Sequence, residues 1–175
     1  LERQLPGLGA WGRVADYREY HINQKPNVET YFDSYLSAEA ILEFGFENIC
    51  IATGSKWRCD GVSRQHVIPM QINERAKIFT PDHIMSGQRP RGKICIYDDD
   101  HYYMGGVLAE LLVNECCSVT LVTPSAYVSD WTVNTLEQNV IHKRLVNLGV
   151  RIVLNRGVKE IGENHVVSNC VYTDE

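Results

Sequence analysis

The chain has 175 residues, of which 44% are hydrophobic and 22% are charged, and its formal net charge at pH 7 is −5. These proportions are ordinary for a globular protein and exclude a wholly disordered chain. Mild acidity offers no general attraction to phosphate backbones, so we expect no nucleic-acid partner. No apolar run approaches the ~20 residues that cross a bilayer, and no signal peptide is visible.

We therefore expect a cytoplasmic protein without a membrane partner. The sequence opens without an initiator Met, which indicates a processed chain or a piece of a longer one. Its six cysteines include no C-x2-C pair, which disfavours zinc ribbons and iron–sulfur ligation within this chain. We expect reduced thiols, with Cys50 and Cys95 acting as small hydrophobes inside apolar strand-like runs.

The first part of the sequence predicts short helices and strands. The predicted elements are helices over residues 10–24 and 38–44 and strands over residues 28–32 and 48–52. Pro26 ends the first helix because it cannot continue the hydrogen-bond ladder, and Ser37 caps the second. Residues 55–79 show no clear periodicity, and a connection of this length is usually functional or bridges two domains.

The second part of the sequence predicts an α/β fold. A short helix over residues 80–87 is capped by Thr80, and the polar hinge at 88–92 marks a domain boundary. The elements predicted after the hinge are strands over 93–97, 119–123 and 150–154, helices over 104–114 and 134–148, and an antiparallel pair over 158–161 and 166–172. Strand, helix and strand within about thirty residues form a βαβ unit, which implies a parallel sheet with a right-handed crossover.

The turn of this βαβ unit lacks the chemistry of a dinucleotide site. Such a turn is normally rich in glycine, so that a diphosphate can approach the helix N-terminus. Here residues 98–103 are three aspartates, a histidine and two tyrosines, and only Gly105 or Gly106 survives of the glycine pattern. Each carboxylate close to a diphosphate would repel it by roughly 1 kcal/mol or more at an effective dielectric constant of ~20. The second strand ends in Thr123-Pro124, without a ribose-binding acid, so we predict a degenerate, non-binding Rossmann domain.

The three aspartates, with His101, also raise the hypothesis of a metal site. Neighbouring side chains alternate in direction along an extended segment, so at most two of these side chains converge without a turn. The alternative is that one aspartate caps the following helix while the others are solvated or paired with Arg89 or Arg91. We favour this alternative and predict no metal site.

A second signature lies at Ala52-Thr53-Gly54. In two-domain flavoproteins a strand with this ending brings the backbone close to a bound nucleotide, because glycine has no Cβ. Alone the tripeptide is weak, since an ordinary strand-to-turn glycine would look the same. Followed by Trp57 and a second βαβ unit, it becomes more specific.

Several motifs along the chain resemble one enzyme family. The motifs are Leu5-Pro-Gly-Leu-Gly-x-Trp11, Asp16-Tyr-Arg-Glu19, Ala52-Thr-Gly-x-x-Trp57, Asp60-Gly61, Thr80-Pro-x-x-x-Met85-x-Gly87 and Tyr97-Asp-Asp-Asp-His-Tyr-Tyr-Met-Gly-Gly106. Together they resemble the C-terminal part of the trimethylamine dehydrogenase and histamine dehydrogenase family of iron–sulfur flavoproteins, which is related to 2,4-dienoyl-CoA reductase. The resemblance covers nearly the whole chain in one consistent order.

The resemblance implies a larger protein with a (β/α)8 barrel carrying FMN, a [4Fe–4S] cluster, and two domains like the FAD and NAD domains of disulfide reductases. These two domains are three-layer Rossmann-like folds. Residues 1–88 would be the latter part of the FAD/ADP-binding-like domain with its linker, and residues 89–175 a degenerate NAD(P)-binding-like domain. The ligands of FMN and of the cluster would lie outside this segment. ADP or FAD would contact the backbone of Ala52-Thr53-Gly54, with Trp57 nearby.

The function implied is that of a C-terminal piece of an amine-oxidising oxidoreductase, with no catalytic residue of its own. Its partners would be the barrel and cluster region of its own polypeptide and an electron-transfer flavoprotein, and the full protein would be a homo-oligomer. One alternative is a piece of an NAD(P)H-dependent enoate or dienoyl-CoA reductase, with a pyridine nucleotide at Gly105-Gly106. Another is a docking module in which Trp11, Tyr17 and Tyr20 contact an electron-transfer partner.

Overall fold

The computed structural model describes residues 2–173 and residue 175, and the chain divides into two compact units. The larger unit is Leu1–Ala10 with Trp57–Glu175, and the smaller is Trp11–Lys56. In chain order the elements are α1 (Gly12–Asn23), α2 (Ala38–Glu43), β1 (Gln71–Ile72), α3 (Pro81–Met85), β2 (Lys93–Tyr97), α4 (Met104–Asn114), β3 (Ser118–Val122), α5 (Gln138–Asn147), β4 (Arg151–Val153), β5 (Arg156–Ile161) and β6 (Val166–Cys170). Over the described part of the chain, we find no helix with the length and apolar character that a bilayer span requires.

A parallel sheet in the order β2-β3-β4 forms the centre of the larger unit. Helices α4 and α5 contribute to one apolar core with this sheet, because the inward-facing residues of the strands and helices are aliphatic. Leu121 of β3 is 0% exposed and Leu145 of α5 is 1% exposed. The predicted βαβ unit and the α/β Rossmann-like fold class are confirmed.

A second sheet, in the order β1-β5-β6, lies in the same unit. The antiparallel pairing of β5 with β6 is confirmed, with an irregularity in register between Val158 and Glu160. Strand β1 pairs in parallel with β5 and falls inside the connection for which the sequence predicts no regular structure. Two residues are too few for a periodic signal, so only the pairing reveals this strand.

Side chains form the predicted caps of α2 and α3. Ser37 Oγ accepts a hydrogen bond from the Ala40 N–H at 3.2 Å. Thr80 Oγ1 accepts from the His83 N–H at 3.4 Å, and the Thr80 N–H donates to His83 Nδ1 at 3.1 Å. These bonds satisfy helix-end donors that would otherwise lack partners, so both helices begin where the sequence predicts.

The two strands predicted in the smaller unit are wrong. Residues 28–32 and 48–52 contain no strand, and Phe32 and Ile51 are 72% and 78% exposed. A strand needs a neighbour for its backbone hydrogen bonds, and the described residues of this unit form no sheet. Cys95 lies in a strand as predicted, whereas Cys50 does not, and both residues are exposed.

The long helix predicted over residues 134–148 is interrupted. A short 3-10 helix spans Asp130–Val133, and α5 begins only at Gln138. Between them Leu136 has a φ of +63°, in the left-handed region that an α-helix excludes. The Glu137 N–H donates to the Thr132 carbonyl at 3.0 Å, which closes the turn instead of extending the helix.

Candidate functional site

The candidate site is the bend of residues 98–103, which connects β2 to α4. In folds of this kind a dinucleotide binds outside the carboxyl ends of the parallel strands, next to the following helix N-terminus. Asp98 and Asp99 lie in this bend and are only 3% and 7% exposed. Buried carboxylates are costly without partners, so their contacts define what the bend can do.

Asp98 fills the space between the end of β2 and the start of α4. Its Oδ1 accepts a hydrogen bond from the His101 N–H at 3.1 Å. A Cβ placed on Gly105 would lie 2.6 Å from Asp98 Cγ and 2.8 Å from Oδ2, so any side chain there would force Asp98 to move. Burial raises the pKa of Asp98 above its ordinary value, while the hydrogen bond from His101 opposes this by favouring the carboxylate.

Asp99 connects the bend to a distant segment of the chain. Its Oδ2 accepts a hydrogen bond from the Gln65 N–H at 2.7 Å, and its Oδ1 lies 3.2 Å from His101 Nε2. His101 has a φ of +65°, and its carbonyl accepts from the Trp131 N–H at 2.9 Å. The bend is therefore joined to the loop around Gln65 on one side and to the loop around Trp131 on the other.

Aromatic and charged contacts reinforce this arrangement. The Arg64 guanidinium lies 4.1 Å from the centre of the Trp131 ring, within cation–π range, and 3.9 Å from Asp100 Oδ1. The rings of His66 and Tyr97 are 6.2 Å apart. Burial, reinforced by the negative charge of Asp99, raises the pKa of Tyr97. Residues 64–66 thus lie against the carboxyl end of β2.

The expected roles of the aspartates are corrected by this geometry. Arg89 and Arg91 pair with Glu115, at 2.9 and 3.8 Å, and not with the aspartates. No side chain caps α4, and Asp98 and Asp99 are buried instead of solvated. Across residues 2–173 and 175, no three or more His, Cys, Asp or Glu side chains group so as to hold a metal ion.

The end of β3 also differs from a ribose-binding site. Thr123 is fully buried, and its N–H donates to the Val153 carbonyl at 3.0 Å. The nearby carboxylate of Asp130 accepts from the Ser125 hydroxyl at 2.6 Å, so it is already engaged within the chain. The polar groups at the end of β3, where a dinucleotide fold binds the ribose, are therefore already hydrogen-bonded within the chain.

The predicted cofactor-binding residues fall in different units. Gly105 and Gly106 are buried in the first turn of α4, and a Cβ on Gly106 would lie 3.3 Å from Ile141 Cγ2 of α5. Ala52-Thr53-Gly54 is exposed in the smaller unit, and Gly54 has a φ of +77°. Trp57 belongs to the larger unit, where its N–H donates to Asp82 Oδ2 at 2.8 Å. Nucleotide binding at these residues stays a prediction.

Sequence reasoning missed the residues that close the bend, namely Arg64, Gln65 and Trp131. Their spacing carries no recognisable motif, because they meet the bend only through the tertiary fold. The one available signal was the length of the 55–79 connection, which is typical of a segment with a function.

Comparisons with known proteins identify relatives over nearly the whole chain. Histamine dehydrogenase from Rhizobium sp. 4-9 is 59% identical and superimposes with a TM-score of 0.94, over 99% of this chain and 27% of that one. An amine oxidase from Pseudomonas geniculata N1, which acts on 6-hydroxypseudooxynicotine, is 36% identical with a TM-score of 0.90, over 99% of this chain and 26% of that one. Dimethylamine dehydrogenase from Hyphomicrobium sp. (strain x) is 29% identical over 170 residues, 93% of this chain and 23% of that protein.

This chain therefore spans about a quarter of the length of these relatives. A 2-naphthoyl-CoA reductase, 18% identical with a TM-score of 0.68 over 97% of this chain and 24% of that one, shares the fold. Residues 79–175 match the family model described as OYE-like second alpha/beta domain. The chain belongs to this family of OYE-like second α/β domains, and its predicted relationship to the trimethylamine dehydrogenase and histamine dehydrogenase family is confirmed.

Proposed function

We propose that this chain is the C-terminal nucleotide-binding-like part of an amine-oxidising oxidoreductase that carries FMN and a [4Fe–4S] cluster elsewhere in its polypeptide. The observation that carries the proposal is the 59% identity to histamine dehydrogenase across 99% of this chain. The whole protein would transfer a hydride equivalent from a primary or N-methyl amine to FMN, and then single electrons to the cluster. Within it, residues 1–88 and 89–175 would form the FAD/ADP-like and the NAD(P)-like parts.

The part played by this chain is structural and not catalytic. Its NAD(P)-like half has two buried carboxylates in the bend where a pyridine nucleotide would place its diphosphate. A diphosphate would meet both repulsion and occupied space there. This supports an enzyme whose electrons leave through the cluster to an electron-transfer flavoprotein, and it disfavours an NAD(P)H-dependent reductase.

A nucleotide would bind, in this proposal, at the other half. The exposed backbone of Ala52-Thr53-Gly54 offers amide groups, and the φ of +77° at Gly54 suits a close backbone approach that a side chain would obstruct. ADP or FAD is the expected ligand. Nucleotide extracted from the intact longer protein and identified by chromatography would test this, and a Gly54→Val variant should release it.

The smaller unit exposes several large apolar side chains. Trp11, Tyr17 and Tyr20 are 60–64% exposed, although aromatic residues at helical spacing are more often buried. We assign this surface to the barrel and cluster region of the same polypeptide. If it instead contacts an electron-transfer flavoprotein, a Tyr17→Ser variant would slow electron transfer to that partner and leave flavin reduction by the amine unchanged.

Anaerobic reduction of the longer protein by candidate substrates tests the whole proposal. Histamine or dimethylamine is expected to bleach the flavin absorbance after anaerobic mixing, whereas NADH and NADPH are expected to leave the absorbance unchanged. The 175-residue chain assayed alone is the control and should show no turnover. Flavin reduction by NADPH, with no response to any amine, would refute the proposal in favour of a reductase.

A further inference from the structure

We propose that the Asp98 side chain, in a bend held by residues 64–66, occupies the place that a dinucleotide's diphosphate takes in a functional fold of this kind. The inference deepens the proposed function, because a pyridine nucleotide would then be excluded by occupied volume as well as by repulsion. It assigns a diphosphate-bearing nucleotide as the ligand class that the bend would accept once the Asp98 side chain is removed.

The position of the Asp98 carboxylate is the first argument. Asp98 is the residue directly after β2, and its Cβ, Cγ and Oδ2 all lie within 2.8 Å of where a Cβ on Gly105 would be. In a functional site the lack of side chains at such positions leaves room for a diphosphate and for close packing of helix and strand. Here the room left by Gly105 is taken by the carboxylate.

Asp98 also lies where folds of this kind place a bound anion. Helix α4 has eleven residues and starts at Met104, so the bend lies at the positive end of its dipole. Oδ1 accepts from the His101 N–H, while the buried Oδ2 has no hydrogen-bond partner in the part of the chain that is described. An acidic side chain is therefore buried where folds of this kind stabilise a phosphate group.

The segment of residues 64–66 is the second argument. The Gln65 N–H donates to Asp99, and Arg64 lies between Asp100 and the Trp131 ring. The same loop is closed on itself, because the Ser63 N–H donates to the His66 carbonyl at 2.8 Å. A further backbone hydrogen bond joins the two ends of this loop.

In this bond the Met70 N–H donates to the Asp60 carbonyl at 2.9 Å. A Cβ on Gly61 would lie 2.5 Å from Met70 Cγ, so the methionine packs tightly on the glycine backbone. The loop is thus held by its own contacts and fixes the bend that carries Asp98.

Two variants of Asp98 distinguish the effect of its side-chain volume on NADH binding from the effect of its charge. Asp98→Gly removes both, whereas Asp98→Asn removes the charge and keeps the volume. We expect calorimetric titration with NADH to detect no saturable binding by the intact longer protein when it carries no substitution (the parent). Asp98→Gly should bind NADH at least tenfold more tightly than Asp98→Asn, with slower amide hydrogen exchange over residues 98–106 when NADH is present.

Equal NADH binding by Asp98→Gly and Asp98→Asn, or none by a folded Asp98→Gly, would overturn the inference. If Asp98→Gly fails to fold, Arg64→Ala provides the test, since it should speed amide exchange over residues 98–106 at least tenfold and leave β3 unchanged. Unchanged exchange in both regions would then overturn it. Binding of NADH by the parent would instead contradict the proposed function, so the two failures are distinguishable.

Discussion

Replacing Gly105 by alanine should destabilise the protein, although alanine is the better helix former. The new Cβ would lie 2.6 Å from Asp98 Cγ and 2.8 Å from Asp98 Cβ, closer than non-bonded carbons approach. Overpacking of this kind costs about 1–3 kcal/mol, whereas replacing a helical glycine by alanine gains about 0.5–1 kcal/mol. We expect a net loss of about 1–2 kcal/mol in the free energy of unfolding.

The neighbouring glycine provides a matched comparison. A Cβ on Gly106 would lie 3.3 Å from Ile141 Cγ2 and 3.4 Å from Ser129 Oγ, contacts that a small shift can relieve. Gly106→Ala should therefore stay within about 1 kcal/mol of the parent. At ~2–4 °C per kcal/mol for a protein of this size, Gly105→Ala should lower the melting temperature by several degrees.

A double-mutant cycle assigns the loss to Asp98. In an Asp98→Gly background the atoms that clash with the new methyl group are gone, so Gly105→Ala should cost little or nothing. The expected coupling free energy is about 1–2 kcal/mol, measured by urea unfolding of all four proteins followed by circular dichroism. If Gly105→Ala is additive with Asp98→Gly, or no worse than Gly106→Ala, the carboxylate does not fill this space.

Three further predictions follow from burial and charge. Burial raises the pKa of Asp98, so its contribution to stability is complete below the ordinary carboxyl pKa and is lost as pH rises through the raised value. Asp98→Asn should therefore gain stability relative to the parent as pH rises in urea unfolding, and a difference independent of pH would contradict this. Arg144→Ala should cost about 1–2 kcal/mol in the same assay, since it leaves the buried Glu110 carboxylate without its ion pair, while the exposed Lys143→Ala should change stability by less than about 0.5 kcal/mol. Leu121→Ala should cost about 2–5 kcal/mol, because Leu121 is fully buried beneath α4 and α5, and a melting temperature close to the parent's would refute that placement.

The elements that sequence predicted well are those whose signal is complete within one short window. The strand at 93–97 and the helix at 104–114 have the predicted bounds, and the next strand is displaced by one residue. Both strands are continuous apolar runs, and the helix shows one apolar face, so no distant contact is needed to recognise them. The caps at Ser37 and Thr80 are equally local, since donor and acceptor are three residues apart.

The failures occur where structure depends on distant partners. Residues 28–32 and 48–52 have strand-forming composition, but the described residues of their unit offer no neighbouring strand. The interruption at Leu136 depends on a turn hydrogen bond that the apolar spacing of residues 134–148 does not reveal. Composition states what a segment can form, while pairing decides what it does form.

The candidate site shows the same division. Sequence correctly indicated that the bend after β2 is acidic, but it assigned the aspartates to solvent, to a helix cap or to Arg89 and Arg91. Their burial depends on Gln65, which lies 34 residues before Asp99 in the sequence and approaches it only in the folded unit. The number of carboxylates in the sequence therefore predicts repulsion of a diphosphate. The fold shows in addition why buried carboxylates are tolerated at this position.

That reason is electrostatic. The N-terminal end of α4 carries a partial positive charge and unpaired N–H groups, and in a nucleotide-binding fold a phosphate satisfies both. The Asp98 carboxylate is buried at this end of α4 and accepts the His101 N–H, and Asp99 accepts the Gln65 N–H beside it. These hydrogen bonds offset part of the cost of burying Asp98 and Asp99, while burial still raises the pKa of Asp98 and so favours its protonated form.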